Sequence, residues 1–233
     1  MVMRRIITLS FICMIALPYL TAAQEKSIQG KWTATLTPAL IPLPSGGQFG
    51  IQPGFEYNID PRLSFLLEVT FQTGKNQHSD SAALEKRYFR IKPEVRYHFL
   101  RKNSKVTQYV GLQASYSFRS FKNVKEGFYY DDLPYDYVYA FDEAHIYSPI
   151  TTLSIQFGII LSDGKRIAAD IFAGTGLRFV NTSFKETQNL RKERRTPPPD
   201  WFTATASYQK IGWLSDLHLN AGVRFMYRFG RYL

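Results

Sequence analysis

The chain has 233 residues, of which 45% are hydrophobic and 15% aromatic, and its formal net charge at pH 7 is +10. Its single cysteine, Cys13, excludes an internal disulfide and a site built from several thiolates. The basic balance favours an anionic partner, but no nucleic-acid recognition motif is present, so lipid phosphates are the simpler explanation and nucleic acid is not expected.

The N-terminus predicts a secretory signal peptide over residues 1–23. Two adjacent arginines supply the positive region, and Ile6–Leu17 is an apolar stretch too short to span a bilayer. Small residues ending at Ala23 form the expected cleavage site. Cys13 lies in the segment that would be removed. The expected mature chain, residues 24–233, has the length of one all-β domain.

Eight segments with alternating apolar and polar residues follow along the chain. They are Lys31–Leu40, Phe49–Asn58, Arg62–Thr73, Arg87–Leu100, Val106–Phe118, Ile150–Leu161, Ile167–Val180 and Leu217–Phe229. An ordinary strand has about 5–6 residues. A tilted strand needs roughly 9–11 residues to cross a bilayer, and most of these segments have that length. The pattern therefore predicts eight membrane-spanning strands.

The connections between these segments alternate between long and short. The long ones are the Pro/Gly-rich stretch before Phe49, residues 74–85, residues 119–147 and the stretch before the closing segment. The short ones are residues 58–62, 101–105 and 162–165, the first and last of which contain Asp-Pro and Asp-Gly turn signals. Bacterial outer-membrane barrels have short periplasmic turns and long extracellular loops. With both termini in the periplasm, each connection falls on the expected side.

The closing segment has the clearest division into two faces. One face is apolar and the other is largely polar: Leu217, Leu219, Ala221, Val223, Phe225, Tyr227 and Phe229 against His218, Asn220, Gly222, Arg224, Met226 and Arg228. A transmembrane barrel needs this alternation, because its lipid-facing and lumen-facing side chains alternate. A soluble lipocalin-like carrier would instead need an apolar interior.

The chain resembles the small eight-stranded outer-membrane β-barrels of Gram-negative bacteria, the OmpA/OmpX-like class. The pattern Asn220-x-Gly222-x-x-Phe225-x-Tyr227 resembles the C-terminal assembly signal of such barrels, although the chain continues to Leu233 instead of ending on an aromatic residue. The resemblance implies an all-β fold, an eight-stranded antiparallel up-and-down transmembrane β-barrel in the cell outer membrane. It also implies that the outer-membrane assembly machinery pairs with the last strand.

The polar strand faces predict a charged lumen. Its predicted members are Glu56, Glu68, Arg90, Lys92, Glu94, Arg96, Asp170, Arg178, Arg224 and Arg228. An eight-stranded barrel is just wide enough for side chains to fill it, and a buried unpaired charge is costly. The main hypothesis is an ion-pair network that plugs the lumen. A narrow gated pore and a ligand or proton-linked site are the alternatives.

Two of the long loops contain candidates for surface binding. The third is aromatic and acidic, and the fourth is basic: Tyr129, Tyr130, Asp131, Asp132, Tyr135 and Tyr137 in one, Arg191, Arg194 and Arg195 in the other. Exposed tyrosines are enriched at binding surfaces, and arginines can hold lipopolysaccharide phosphates. Packing against neighbouring loops, or simple solvation, is the alternative.

The main functional hypothesis is a monomeric, non-enzymatic barrel with a structural or surface-interaction role. An outer-membrane lipid A deacylase or acyltransferase is the alternative, and it would need a Ser/His/acid constellation. Ser215, Asp216 and His218 are the only neighbouring residues of that composition, but adjacent strand positions point to opposite faces. The sequence therefore predicts no catalytic residue, cofactor or metal site.

Overall fold

The computed structural model describes residues 32–43, 46–76, 84–99, 105–129, 137–162, 166–194 and 210–229. The predicted signal peptide with Cys13 lies outside these ranges. Ten strands form in them: β1 (Trp32–Leu43), β2 (Gly46–Asn58), β3 (Leu63–Asn76), β4 (Leu84–Phe99), β5 (Val106–Tyr129), β6 (Tyr137–Tyr147), β7 (Ile150–Ser162), β8 (Ile167–Gln188), β9 (Arg191–Arg194) and β10 (Gly212–Arg228). No helix in the described part of the chain is both long and apolar enough to cross a membrane.

Eight of the ten strands form a closed antiparallel ring. Its order is β1, β2, β3, β4, β5, β7, β8 and β10, and β10 pairs back with β1 from Thr33↔Arg228 to Leu36↔Phe225. Closure leaves no strand at the edge of a sheet, as a membrane barrel requires. The predicted fold class, an eight-stranded antiparallel up-and-down transmembrane β-barrel, is confirmed.

The two faces of the wall are oriented as the alternation predicts. Large apolar side chains cover the outside; Leu219 and Phe71, for example, are each 70% exposed. Inward positions carry polar and charged side chains, including Glu94 and Arg224, which are almost completely buried. A soluble protein rarely exposes so continuous an apolar surface. The outer surface therefore contacts hydrocarbon.

Aromatic pairs surround one end of the barrel. We call this the lower end; it holds the start of β1, the end of β10 and the turn between β2 and β3. Ring pairs lie there at centroid distances of 4.8 to 5.5 Å: Trp32 with Tyr57, Tyr97 with Phe99, and Tyr227 with Phe229. Such rings mark the boundary between lipid and water.

The turn between β2 and β3 forms as its sequence predicts. The Asp60 carboxylate accepts hydrogen bonds from the backbone N–H groups of Arg62 and Leu63, at 2.6 and 2.8 Å. This is the local turn that an aspartate side chain stabilises. Most of the other two predicted short turns, residues 100–104 and 163–165, lies outside the described residues.

The prediction of a long first connection is wrong. The ladder between β1 and β2 continues to Leu43↔Gly46, so only residues 44–45 separate the two strands. Prolines in this hairpin suggested a loop. They do not interrupt its ladder, because their missing N–H groups fall on the outer sides of the two strands, as derived below.

The third and fourth long connections are partly strand. β5 continues past the barrel to Tyr129, β8 continues to Gln188, and β6 pairs with both of them and with β9. We call residues 120–129 of β5, together with β6, residues 182–188 of β8 and β9, the extension. It rises from the upper end of the barrel, where the sequence alone had predicted loops.

Candidate functional site

The lower half of the lumen is built around Arg96 of β4 and Arg224 of β10. Both side chains are completely buried. Glycines on the opposing wall make the room: an added Cβ at Gly111 would lie 2.8 Å from Glu94 Oε1, and one at Gly158 would collide with the ring of Tyr109. Large inward side chains therefore fill the space that small residues leave.

Arg224 uses all three of its guanidinium nitrogens in ion pairs. Nε donates to Glu68 Oε1 at 3.1 Å, Nη1 to Asp170 Oδ2 at 2.7 Å, and Nη2 to Glu94 Oε2 at 2.9 Å. Its Cζ also lies 3.8 Å from the centroid of the Phe172 ring. Arg224 thus connects three acids that come from three different strands.

Arg96 forms a second hub that shares two of these acids. Nε donates to Glu94 Oε1 at 2.9 Å, Nη1 to Glu56 Oε2 at 3.3 Å, and Nη2 to Asp170 Oδ2 at 3.1 Å. Its guanidinium lies over the Tyr109 ring, 4.5 Å from the centroid. Since Glu94 and Asp170 contact both arginines, the two hubs form one network.

Two further ends complete this network. Lys92 Nζ lies 2.6 Å from Glu68 Oε2, and Glu68 also accepts a hydrogen bond from the Thr37 hydroxyl. At the other end, Ser64 donates to Glu56 and contacts His98 Nε2 at 2.7 Å. We call the seven ionised members the central network: Glu56, Glu68, Lys92, Glu94, Arg96, Asp170 and Arg224.

Three predicted lumen charges lie elsewhere. Arg90 donates to Ser117 Oγ at 3.0 Å, Arg178 to Asp216 Oδ2 at 2.7 Å, and Arg228 to Ser162 Oγ at 3.1 Å. All three face inward, but they occupy different heights on their strands. The prediction of one connected group of ten is corrected to seven.

The sequence analysis missed two residues of the lumen. The Tyr109 hydroxyl donates to Asp170 at 3.0 Å and accepts a hydrogen bond from Arg224 Nη1 at 3.1 Å. Arg119, which the sequence analysis assigned to a loop, is buried on the continued β5 and donates to the backbone oxygen and hydroxyl of Ser148. The alternation along β5 places Tyr109 inward, so this signal was present in the sequence.

Above the central network the lumen is lined by small hydroxyl and amide side chains. Ser115 and Thr152 are 2.6 Å apart across the β5–β7 pair. Several other polar atoms are buried without a hydrogen-bond partner among the described residues, including Gln52 Nε2, Thr70 Oγ1 and the Tyr88 hydroxyl. We call this region the upper lumen. It contrasts with the fully paired region below it.

The predicted surface-binding residues separate into three groups. Tyr129 is buried, with its ring 4.4 Å from that of Phe184, so it packs inside the extension and is not an exposed tyrosine. Tyr137 is exposed, and Lys192 Nζ lies 4.5 Å from its ring centroid. The remaining candidates of this group lie outside the described residues: Tyr130, Asp131, Asp132, Tyr135 and Arg195.

The basic end of the extension carries an exposed ion pair. Arg191 Nη2 lies 2.9 Å from Asp142 Oδ1, and Asn189 donates to Asp142 Oδ2 at 2.8 Å. The hydrogen bonds from Asn189 and then Arg191 hold the pKa of Asp142 below its ordinary value. Arg194 is exposed and pairs through its backbone with Tyr137.

The possible Ser/His/acid group is not assembled. Ser215 is exposed on the outer face, whereas Asp216 faces inward and pairs with Arg178. His218 lies half-buried on the inner face. The residues are therefore divided between opposite sides of the wall, as the strand period requires. In the described ranges, no group of three His, Cys, Asp or Glu residues is arranged to hold a metal ion.

The four residues of the predicted assembly signal divide between the two faces of β10. Asn220 donates to Gln113 Oε1 at 3.3 Å across the lumen, and an added Cβ at Gly222 would lie 2.7 Å from the Phe172 ring. Phe225 and Tyr227 are exposed on the outer face. The two aromatic side chains are thus presented outward, where an assembling partner would contact them.

No family model and no curated protein sequence matches this chain. Among solved structures, the chain is similar to Neisserial surface protein A, with 18% sequence identity and a TM-score of 0.36. The similarity covers 86% of this chain and 98% of that one. Similarity of this size supports no argument about function, and the strand pairing described above defines the fold.

Proposed function

We propose that the protein is an integral outer-membrane β-barrel with a structural or surface-interaction role, and that the central network plugs its lumen. The observation that carries this proposal is the pair of arginine hubs. Arg96 and Arg224 reach Glu56, Glu94 and Asp170 on three different strands inside the same narrow ring. The charged groups thus connect opposite walls of the barrel.

The energetics favour a plug over a pore. Every member of the central network is at most 7% exposed. Opening a path along the barrel axis would separate ion pairs and leave buried charges without partners. Breaking one buried pair typically costs about 3–5 kcal/mol. The narrow gated pore remains the second candidate, since the same residues would line it.

The outer membrane is the proposed location. An apolar belt with aromatic rings at its lower boundary is typical of barrels in that membrane. The predicted signal peptide provides the route of export, and the outward Phe225 and Tyr227 suit contact with the assembly machinery. We propose a monomer, because the ring of strands closes on itself. A folded barrel should migrate differently on a gel before and after boiling and should fractionate with the outer membrane.

The extension is the proposed surface for interaction. Its exposed cations suit lipopolysaccharide phosphates, which form charge-assisted hydrogen bonds: Lys185, Arg191, Lys192 and Arg194. Arg191 is already paired with Asp142, so Arg194 is the sharper target for substitution. Arg194→Gln should weaken lipopolysaccharide binding, and Arg166→Gln, near the lower end, should not. Equal binding by both variants would contradict this role for the extension.

Conductance across a planar bilayer tests the plug. The wild-type barrel should carry no steady current. Replacing one network pair with small side chains, Arg96→Ser with Glu56→Ser, should open a water path and produce current. The matched control, Arg178→Ser with Asp216→Ser, removes a pair outside the network and should remain silent. Gel migration before and after boiling verifies that each variant folds.

A steady wild-type current that neither pair of substitutions changes would exclude the plug and favour the pore. A silent wild type in which the control pair opens as readily as the network pair would also contradict it. That second outcome would place the barrier in the upper lumen.

A further inference from the structure

Two seams of the barrel wall are paired only at their lower ends. In the described ranges, β1 pairs with β10 only over residues 33–36 and 225–228, and β2 pairs with β3 only over residues 54–58 and 64–68. The β1–β2 ladder itself continues to Leu43↔Gly46. The upper part of this hairpin is therefore paired with itself and with neither neighbouring strand.

Pro38 explains where the seam between β1 and β10 ends. Phe229 N donates to Trp32 O at 2.8 Å, so even-numbered residues of β1 direct their backbone polar groups toward β10. The last pair is Leu36↔Phe225. The next even-numbered residue is Pro38, which has no N–H to donate. The ladder stops where its next donor is missing.

Pro53 has the same effect on the other side of the hairpin. Ile59 N donates to Leu63 O at 2.9 Å, so odd-numbered residues of β2 face β3. Pairing ends at Gly54↔Glu68, and the next odd-numbered residue is Pro53. The two prolines thus create a gap on each side of the hairpin, while the ladder within the hairpin stays intact.

The gap between β2 and β3 lies at the level of the membrane. Ile51 and Phe71 flank it on the outer face and are 65% and 70% exposed. Unpaired backbone cannot face hydrocarbon, and at this depth it is tolerated only where it lines a cavity or is covered by polar groups. The gap therefore connects the upper lumen with the lipid beside it.

Polar side chains without partners lie directly behind this gap. Gln52 and Thr70 occupy the first positions beyond the last β2–β3 pair, and Thr70 pairs in turn with Arg90 of β4. Gln52, Thr70 and Tyr88 are at most 3% exposed. Among the described residues, Gln52 Nε2, Thr70 Oγ1 and the Tyr88 hydroxyl have no hydrogen-bond partner. With Arg90 they form what we call the head-group cluster.

The charge balance of the upper lumen favours an anion. Arg90 donates to the neutral Ser117, and no carboxylate of the described residues pairs with it. Across the upper lumen, three described arginines, Arg90, Arg119 and Arg178, face a single described acid, Asp216. Below, the central network has more acids than cations. A negative group is therefore attracted to the upper region specifically.

We propose that the gap between β2 and β3 admits a single-chain amphiphile whose anionic head group binds the head-group cluster. A carboxylate or phosphate would accept hydrogen bonds from the Arg90 guanidinium, the Gln52 amide and the hydroxyls of Thr70 and Tyr88. The acyl chain would lie in the gap and continue into the surrounding lipid. Entry is lateral, since the central network blocks the lumen below.

Binding of spin-labelled stearic acid to the full chain in phosphatidylcholine nanodiscs tests this proposal. The wild type should give a saturable, immobilised spectral component. Arg90→Gln should weaken binding about ten-fold or more, because a charge-assisted hydrogen bond is lost. Thr70→Val removes one neutral partner and should weaken binding less. The matched control is Arg166→Gln, which removes the same charge near the lower end and should leave binding unchanged.

Competition on the wild type identifies the ligand class without any variant. Palmitate or lysophosphatidic acid should displace the probe, and the stronger competitor distinguishes a carboxylate from a phosphate head group. Stearyl alcohol, which lacks the charge, and acetate, which lacks the chain, should not. Pro53→Thr restores the missing donor and should reduce binding by lengthening the β2–β3 ladder.

Three results would overturn the proposal: no immobilised component, equal binding by Arg90→Gln and Arg166→Gln, or displacement by stearyl alcohol as effective as by palmitate. The conductance experiment on the plug is independent of all three, so failure here leaves the proposed function untouched.

Discussion

The lower and upper halves of one lumen accommodate buried polar groups in opposite ways. In the lower half, the strand ladders continue around the ring and two arginines share their acids, so the space is filled. In the upper half, two ladders stop early, arginines outnumber acids, and Gln52 and Thr70 retain unpartnered polar atoms. The inward faces are polar in both halves. What differs is the backbone around them.

Glycine and proline cause this difference. Gly158 gives the Tyr109 ring its place beside the central network, which allows the lower half to close. Pro53 removes a donor from the β2–β3 ladder, which leaves the upper half open. Two residues of low strand propensity therefore have opposite effects, because one acts through its missing side chain and the other through its missing N–H.

The largest expected difference between the halves is the stability effect of removing one acid. Asp170→Ala would leave Arg96 and Arg224 each with one buried partner fewer and should lower the free energy of unfolding by about 3–5 kcal/mol. Asp216→Ala, in the upper half, breaks a pair whose members are 26% and 34% exposed. It should cost about 1 kcal/mol or less. Denaturant titration followed by gel migration measures both.

Similar losses for Asp170→Ala and Asp216→Ala would remove the energetic distinction between the two halves. Asp170→Asn is the useful companion variant, because it keeps the shape and one acceptor and deletes only the charge. If Asp170→Asn is as stable as the wild type, then packing, and not ion pairing, holds the lower half together.

The sequence predicted the wall of this barrel better than its contents. A period of two residues sets which side chains face inward, so the polarity of every ring strand could be derived from local order alone. Which inward charges meet depends on the stagger between strands. Arg224 and Arg228 share one face of β10, yet four residues of height place one in the central network and the other beside Ser162.

The long connections were predicted less well for a related reason. Residues 119–129 are polar and aromatic, which suggested a loop, but β5 continues through them because β6 pairs with it. The aromatic side chains then pack between strands, as Tyr129 does against Phe184. Such pairing joins segments far apart in the chain, so no local pattern reveals it. The early end of the β2–β3 ladder was likewise hidden, although Pro53 was in view.

A methyl group at Gly158 tests the filling of the lower half directly. Gly158→Ala would displace the Tyr109 ring, whose hydroxyl is held by Asp170 and Arg224. Overpacking of this kind should lower the free energy of unfolding by about 1–3 kcal/mol. The control is Ala114→Val on the lipid-facing side of β5, which should change stability by about 0.5 kcal/mol or less. A neutral Gly158→Ala variant would mean that the lower half has unused space.

The smallest expected effect lies outside the membrane, in the extension. Hydrogen bonds from Asn189 and Arg191 lower the pKa of Asp142 in the folded protein. A carboxylate with a lowered folded pKa contributes stability above its unfolded pKa of about 3.9, and this contribution is lost as the pH falls through the folded value. Asn189→Ala should raise the pKa more than Arg191→Gln does, since the Asn189 bond is the larger cause.

Carboxyl NMR titration of Asp142 in these variants measures the two shifts separately. Because the pair is exposed, added salt should weaken the effect of Arg191 more than that of the neutral Asn189. A titration unaffected by either substitution would show that the extension does not hold this geometry in solution. A salt-sensitive shift here, beside salt-insensitive stability of the Asp170 pairs, would establish that burial, and not the number of charged contacts, separates the barrel interior from its surface.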